Sequence, residues 1–153
     1  MAENDPGRPN IFPLLRYEDA PAALQWLATA FGFEQQLVIR GPGGRIEHAE
    51  MRLGPGYIML GSVERGRRDG IGMKSVKQLG GASQGICVFI RDIDAHYQRA
   101  KAAGAEIVRA PTDEDHGARA YIARDLEGNV WSFGNYMPGG PPADTPRSTP
   151  RRD

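Results

Sequence analysis

Apolar residues dominate Leu14-Leu15-Arg16-Tyr17, and again Ile86-Cys87-Val88-Phe89-Ile90, two strand-like runs about 72 residues apart. Each run leads to an aspartate, Asp19 or Asp92, whose short carboxylate can accept from the first free amides of a helix. Each helical pattern that follows closes at a glycine, Gly32 or Gly104, a residue able to take positive φ. Turns and further strands complete each copy. The first ends in Gly54-Pro55-Gly56-Tyr57-Ile58-Met59-Leu60, the second in Asp125-Leu126-Glu127-Gly128-Asn129-Val130-Trp131-Ser132-Phe133. Neither copy is large enough to bury its own apolar face, so the two are expected to share one core. The pattern divides the chain into module one at 10–62, a connector at 63–83 and module two at 84–136. Flexible tails are expected at 1–9 and 137–153, where polar residues and prolines leave too little apolar surface to order the chain.

Alternation also assigns faces. Leu24, Leu27, Ala28 and Phe31 recur at helical spacing and need an apolar sheet beneath them. Ile11, Leu15 and Tyr17 can supply it, with Met51 and Leu53, Ile58 and Leu60, and Ile86, Val88 and Ile90. The alternate positions must then face elsewhere: Phe12, Leu14 and Arg16; His48, Glu50 and Arg52; Tyr57 and Met59; Gly85, Cys87 and Phe89; Arg119 and Tyr121; Val130 and Ser132. This second set mixes aromatics, a methionine, small residues and a few ionisable groups, the make-up of a ligand cavity.

Charge narrows the partners. Nineteen basic residues balance nineteen acidic ones, so no global field exists to hold nucleic acid or an anionic membrane. Cys87 has no second cysteine to bond, which suits a reducing compartment, and its apolar surroundings predict a small buried hydrophobe. No stretch approaches the run of about 20 apolar residues that spans a membrane, and none resembles a signal sequence. A cytoplasmic location is expected. The arginines of the connector (Arg65, Arg67, Arg68) and of the C-terminal tail (Arg147, Arg151, Arg152) read as solvated charge.

Three segments, Arg16-Tyr17-Glu18-Asp19-Ala20, Gly44-Arg45-Ile46-Glu47-His48-Ala49-Glu50-Met51 and Arg124-Asp125 through Phe133-Gly134, carry a resemblance. The chain resembles the vicinal oxygen chelate superfamily of glyoxalases, extradiol dioxygenases and bleomycin-resistance proteins, and more closely its PhnB-like, glyoxalase-like branch. The resemblance implies an α+β fold in which paired βαβββ modules form a curved open barrel around a cavity, often completed in a homodimer. It specifies the fold far better than the activity, because one scaffold carries unrelated chemistries. Metalloenzymes of that superfamily place one His, Glu or Gln ligand on each of the first, fourth, fifth and eighth strands. Carried across, those positions are Phe12, Met59, Gly85 and Ser132. None suits a hard or borderline divalent ion, so no metal and no cofactor are expected.

Other polar groups remain as candidates. His48 and Glu50 share one strand face, either as a mutual pair or as ligand contacts. Arg16, a guanidinium inside a strand, needs a carboxylate such as Glu50 or an anionic ligand group. Arg119 and Tyr121 would add a second anchor. His116 lies in an acidic loop where a proton-transfer group could stand at a pocket mouth, and His96, on the second helix, is expected in solvent. Trp26 and Trp131 read as packing groups. Gly41-Pro42-Gly43-Gly44 lacks the Lys-Ser/Thr of a phosphate loop and predicts a hairpin turn. The expected ligand set is therefore Phe12, Arg16, His48, Glu50, Met59, Arg119, Tyr121 and Ser132. The expected function is metal-free small-molecule binding, in the manner of bleomycin-resistance proteins that sequester a toxic compound. The alternatives are a lyase, isomerase or dioxygenase-like enzyme, using His48, Glu50 and His116 as an atypical metal set or metal-free acid/base catalysis, and a regulatory module with a vestigial cavity. The expected partners are a small molecule and a second copy, with no nucleic acid and no membrane.

Overall fold

The computed structural model describes residues 7–64, 72–115 and 117–139. The elements run β1 (Leu14–Tyr17), α1 (Ala20–Phe31), β2 (Glu34–Arg40), β3 (Ile46–Leu53) and β4 (Gly56–Ser62), then α2 (Val76–Leu79) in the connector. Module two repeats the order as β5 (Gly85–Phe89), α3 (Ile93–Ala102), β6 (Glu106–Asp113), β7 (Arg119–Arg124) and β8 (Val130–Gly134). Each module forms one four-stranded sheet, ordered β1-β4-β3-β2 and β5-β8-β7-β6, with the first and last strands of the module parallel. The result is an α+β fold of two open sheets with no closed barrel.

The local signals act as their chemistry requires. Asp19 accepts from the amide of Ala22 at 3.0 Å and Asp92 from that of Ala95 at 3.0 Å, one cap for each helix. α1 stops at Gly32, whose φ of 85° a side chain would strain. Pro42–Gly44 forms a single 3-10 turn joining antiparallel β2 and β3, as the glycines predict. The connector holds a feature the pattern did not reveal. Ser75 and Gln78 cap α2 reciprocally, side chain to backbone in both directions.

One core serves both modules. α1 and α3 pack on each other, and Phe31 at the end of α1 meets Trp131 and Phe133 of β8, with ring centroids 5.4 and 4.6 Å apart. Phe33 reaches Trp131 as well. The interior thus lies between the helix-bearing sides of the two sheets, with Leu15, Tyr17, Leu24, Leu27, Met51 and Leu60 on one side and Tyr121, Ala123, Trp131 and Phe133 on the other. The helix-free faces turn away from that core.

A polar seam crosses the same junction. The Tyr17 hydroxyl donates to Asp125 Oδ2 at 2.7 Å, and Trp131 Nε1 donates to the same oxygen at 3.1 Å. Asp125 Oδ1 accepts from the amides of Glu127 and Asn129. Glu127 turns to module one and accepts from the amides of Glu18 and Asp19 at 2.8 and 2.9 Å, at the start of α1. Both carboxylates are buried, and each is stabilised by several donors, which repays its desolvation. Burial and the adjacent Asp125 push the Tyr17 hydroxyl well above its ordinary pKa, so it stays a donor.

Several expectations change here. Ile11, assigned to the core, is 86% exposed, because it precedes β1 and lies beyond the bond from the Met59 amide to the Pro13 carbonyl. Cys87 is exposed rather than buried, since its side of edge strand β5 faces away from the helices. His96 is half-buried rather than in solvent. The expected tails fall partly on residues 1–6 and 140–153, and Arg65, Arg67 and Arg68 on 65–71; these, with Arg147, Arg151 and Arg152, lie outside the described residues. No helix among the described residues is long and apolar enough to cross a membrane.

Candidate functional site

Strand register builds the helix-free face of module one. Leu14 pairs with Met59, Met59 with Glu50 and Glu50 with Leu37, so those four side chains form one row across the sheet. Tyr57 and Arg52 begin the next row. Phe12 lies over this end of the face, with its ring edge-on to Tyr57 at a centroid distance of 6.4 Å. Phe12, Glu50, Tyr57 and Met59 together line a cavity of about 230 Å³. Its walls are apolar apart from the Glu50 carboxylate, which stands 3.2 Å from His48 Nε2. The pairing separates the two histidine roles considered for this strand: His48 holds Glu50, and Glu50 faces the cavity.

Arg16 belongs to a different space. It pairs across the ladder with Gly61, and a Cβ on Gly61 would stand 2.7 Å from Arg16 Nη1 and 3.2 Å from the Glu47 carbonyl oxygen. Glycine is therefore what lets the guanidinium fold over β4. Arg16 and Leu14 border a cavity of about 250 Å³ at the seam of the modules, under the connector. The expectation of one space holding Arg16 with Phe12 and Met59 is corrected to two.

Ser132 lies on the other sheet, between Cys87 and Ile122. Arg119 and Tyr121 are also displaced from the expected set. Both do share one side of β7, but register places Tyr121 opposite Phe133, on the helix side. Tyr121 is fully buried. Its hydroxyl donates to His96 Nδ1 at 2.6 Å, while His96 Nε2 donates to the Phe31 carbonyl at 2.9 Å. The carbonyl can only accept, which assigns the ring proton to Nε2 and leaves Nδ1 as the acceptor. Burial pushes the Tyr121 hydroxyl up and the His96 ring down, the latter opposed by the Phe31 carbonyl. Arg119 bridges Asp94 and Asp113 at 3.0 Å each. These are structural pairings, so the sequence-based set contracts to Phe12, Glu50 and Met59 at one cavity, His48 behind Glu50, Arg16 at the second cavity, and Ser132 apart.

The site reading missed Tyr57 and Leu14 as lining groups, although alternation had placed both on the correct face. It also gave no role to Asp125 and Glu127. Their motif was visible, but partners 108 residues away were not. At the four positions onto which the family resemblance carries metal ligands, Phe12, Met59 and Gly85 offer no hard donor and Ser132 offers a neutral hydroxyl. Among the described residues no three His, Cys, Asp or Glu side chains gather to hold an ion. His116, the third member of the atypical set, lies outside the described residues.

Paired β-α-β-β-β units with open sheets define a class of protein built on the glyoxalase-like fold. Residues 11–133 match the Glyoxalase/Bleomycin resistance protein/Dioxygenase superfamily, and the chain belongs to it. An uncharacterized protein of Mycobacterium bovis is 32% identical over 126 residues, covering 82% of each chain. The crystal structure of TioX from Micromonospora sp. ML1 is 30% identical with a TM-score of 0.68, over 84% of this chain and all of that one. The fosfomycin resistance protein FosX from Mesorhizobium loti has a TM-score of 0.58 over 84% of this chain and 92% of its own, and at 11% identity it shares the fold alone. Placement in a PhnB-like branch rests only on the three sequence segments that carry that resemblance.

Proposed function

We propose that this protein binds a small, largely apolar molecule without a metal ion, on the helix-free face of module one. One observation carries the reading. The cavity between Phe12, Tyr57 and Met59 is walled by apolar and aromatic groups, with a single carboxylate, Glu50, oriented by His48. Such a wall gains from burying apolar ligand surface at about 25 cal/mol per Å², and the carboxylate favours a ligand that presents a donor or a cation. The residues at the family's ligand positions, Phe12, Met59, Gly85 and Ser132, favour binding over metal-assisted chemistry. Sequestration of a toxic compound is the corresponding role.

The same face is incomplete in one chain. Phe12 is 40% exposed, and Leu37 and Ile39 beyond it are 42% and 48% exposed. On the other sheet Phe89 is 40% exposed beside Cys87. These exposed apolar groups would be covered by a second copy, and a homodimer that sets module one of each protomer against module two of the other is the arrangement we favour.

A thermal-shift screen tests the reading, since ligand that binds only the folded state raises apparent stability with the logarithm of its excess. Planar aromatic amines should raise Tm, and Tyr57→Ala should weaken the best of them on the order of tenfold, the loss of one aromatic contact plus its buried area. One divalent metal per chain in the purified protein, or stabilisation by metal alone, would defeat it.

A further inference from the structure

Two aromatic rings stand nearly at right angles on the helix-free face of module one. The planes of Phe12 and Tyr57 are inclined at 79° with their centroids 6.4 Å apart. Both rings line the cavity of about 230 Å³, and the Met59 thioether and the Glu50 carboxylate complete its lining. Register brings the set together: Met59 pairs with Glu50 across β4 and β3, Tyr57 lies two residues before Met59 on the same side of β4, and Phe12 enters from the segment ahead of β1.

Every polar feature of this lining has the same sign. An aromatic face carries negative potential, and Glu50 is the one carboxylate there, with no lysine or arginine among the lining residues. His48 Nε2 meets Glu50 Oε1 at 3.2 Å; a carboxylate has about four lone-pair sites on two oxygens, so this contact leaves most of its accepting capacity unused. Arg52, opposite Tyr57 in the ladder, is held by Glu34 at 2.7 Å, which offsets its charge at the rim. Hydrogen-bonding capacity then decides the kind of cation. A primary ammonium brings several N–H donors and firmly held water, whereas the lining offers only the Glu50 carboxylate and the Tyr57 hydroxyl as strong side-chain acceptors. A methylated ammonium carries the same charge under a carbon surface. It needs no acceptor and gains from apolar contact with the rings and the polarizable Met59 sulfur.

Resting on the reading of this cavity as a ligand site, we propose that it is an aromatic cage selective for an organic cation whose charge sits on a methylated, weakly hydrated nitrogen. Phe12 and Tyr57 supply the cation–π contact, Glu50 the opposing charge and Met59 the contact with the methyl groups. Leu14 and Leu37, which flank Met59 and Glu50 in the same row, continue the apolar surface for the rest of the molecule.

Methionine-methyl NMR titration of the full chain at matched ionic strength tests this with choline, its neutral isostere 3,3-dimethyl-1-butanol, and ethanolamine, which keeps the charge without the methyl groups. Choline is expected to shift the Met59 methyl signal saturably, and each of the other two to need on the order of tenfold more, the scale of a cation–π contact in a partly desolvated site. Phe12→Leu and Glu50→Gln should each weaken choline a few-fold and leave the alcohol unchanged. Phe12 precedes β1 and is 40% exposed, so its replacement spares the core. Choline binding no tighter than the alcohol or ethanolamine, or unchanged in either variant, would overturn the cage, while a Met59 response to the alcohol would keep the apolar ligand site standing. Silence of Met59 toward all three would also overturn the cage, and the aromatic-amine screen then decides the ligand site by itself.

Discussion

Tyr17 shows how one hydroxyl can join two modules. Its hydroxyl donates into a buried carboxylate 108 residues away, and removing it leaves Asp125 with one donor fewer in a buried site. Tyr17→Phe is expected to lower unfolding free energy by about 1.5–3 kcal/mol, the cost of losing a hydrogen bond to a charged group; urea denaturation measures it, and a change within about 0.5 kcal/mol would assign the seam to packing alone. His96 sets a pH dependence. Its pKa in the folded protein is depressed below 6.5, chiefly by burial, so the unfolded chain binds the proton first as pH falls. Stability is therefore fully present above pH 6.5, and is lost on acidification from there down to the folded pKa. His96→Phe should flatten that decline in stability curves recorded against pH, and an unaltered slope would place the titrating group elsewhere.

The helices are held as much by each other as by their sheets. Arg99 of α3 donates to the Thr29 and Ala28 carbonyls at the end of α1, at 2.8 and 2.9 Å. A cation supplied by a neighbouring helix thus reaches two carbonyls of the last turn of α1, of which that of Ala28 also accepts from the Gly32 amide. Trp26 returns the favour through its indole N–H to the Ala103 carbonyl at 3.0 Å. Arg99→Met should lower stability by about 0.5–1.5 kcal/mol, seen as a fall in Tm without loss of helical circular dichroism. No effect would mean water replaces the guanidinium at no cost. The strands follow a different rule. Alternation within β7 correctly groups Arg119 with Tyr121, yet only pairing with β8 tells which side they occupy, because a strand's own pattern is blind to a whole-strand flip.

The helix-free faces of both modules carry exposed apolar groups, Phe12, Leu37 and Ile39 on one and Phe89 on the other, so the assembly tests the proposed arrangement. Light scattering at micromolar concentration is expected to give about twice the 16.7 kDa chain mass, and replacing Phe89 with Asp should return the monomer by placing a charge in an apolar contact. A monomeric native chain would mean that the outward faces stand alone.

Repeats, caps and turn glycines are local signals, and they were legible: Asp19, Gly32, Asp92 and Gly104 each mark an element end that the backbone adopts. The family could likewise be read from the segments Arg16 to Ala20, Gly44 to Met51 and Arg124 to Gly134, since a run of residue types needs no coordinates. Phe12, Glu50 and Met59 line one cavity, Glu50 and Met59 because they pair across β3 and β4, and Phe12, which precedes β1, beside Tyr57 through an edge-on ring contact. The rest depended on distance in space. Arg16 was separated from Phe12 by the cradle at Gly61 and by the connector, Tyr121 was drawn inward by Phe133, and Cys87 was left outside by an edge strand with no helix over that side. Periodicity tells a strand that it has two faces; only packing between remote segments tells each face what it meets.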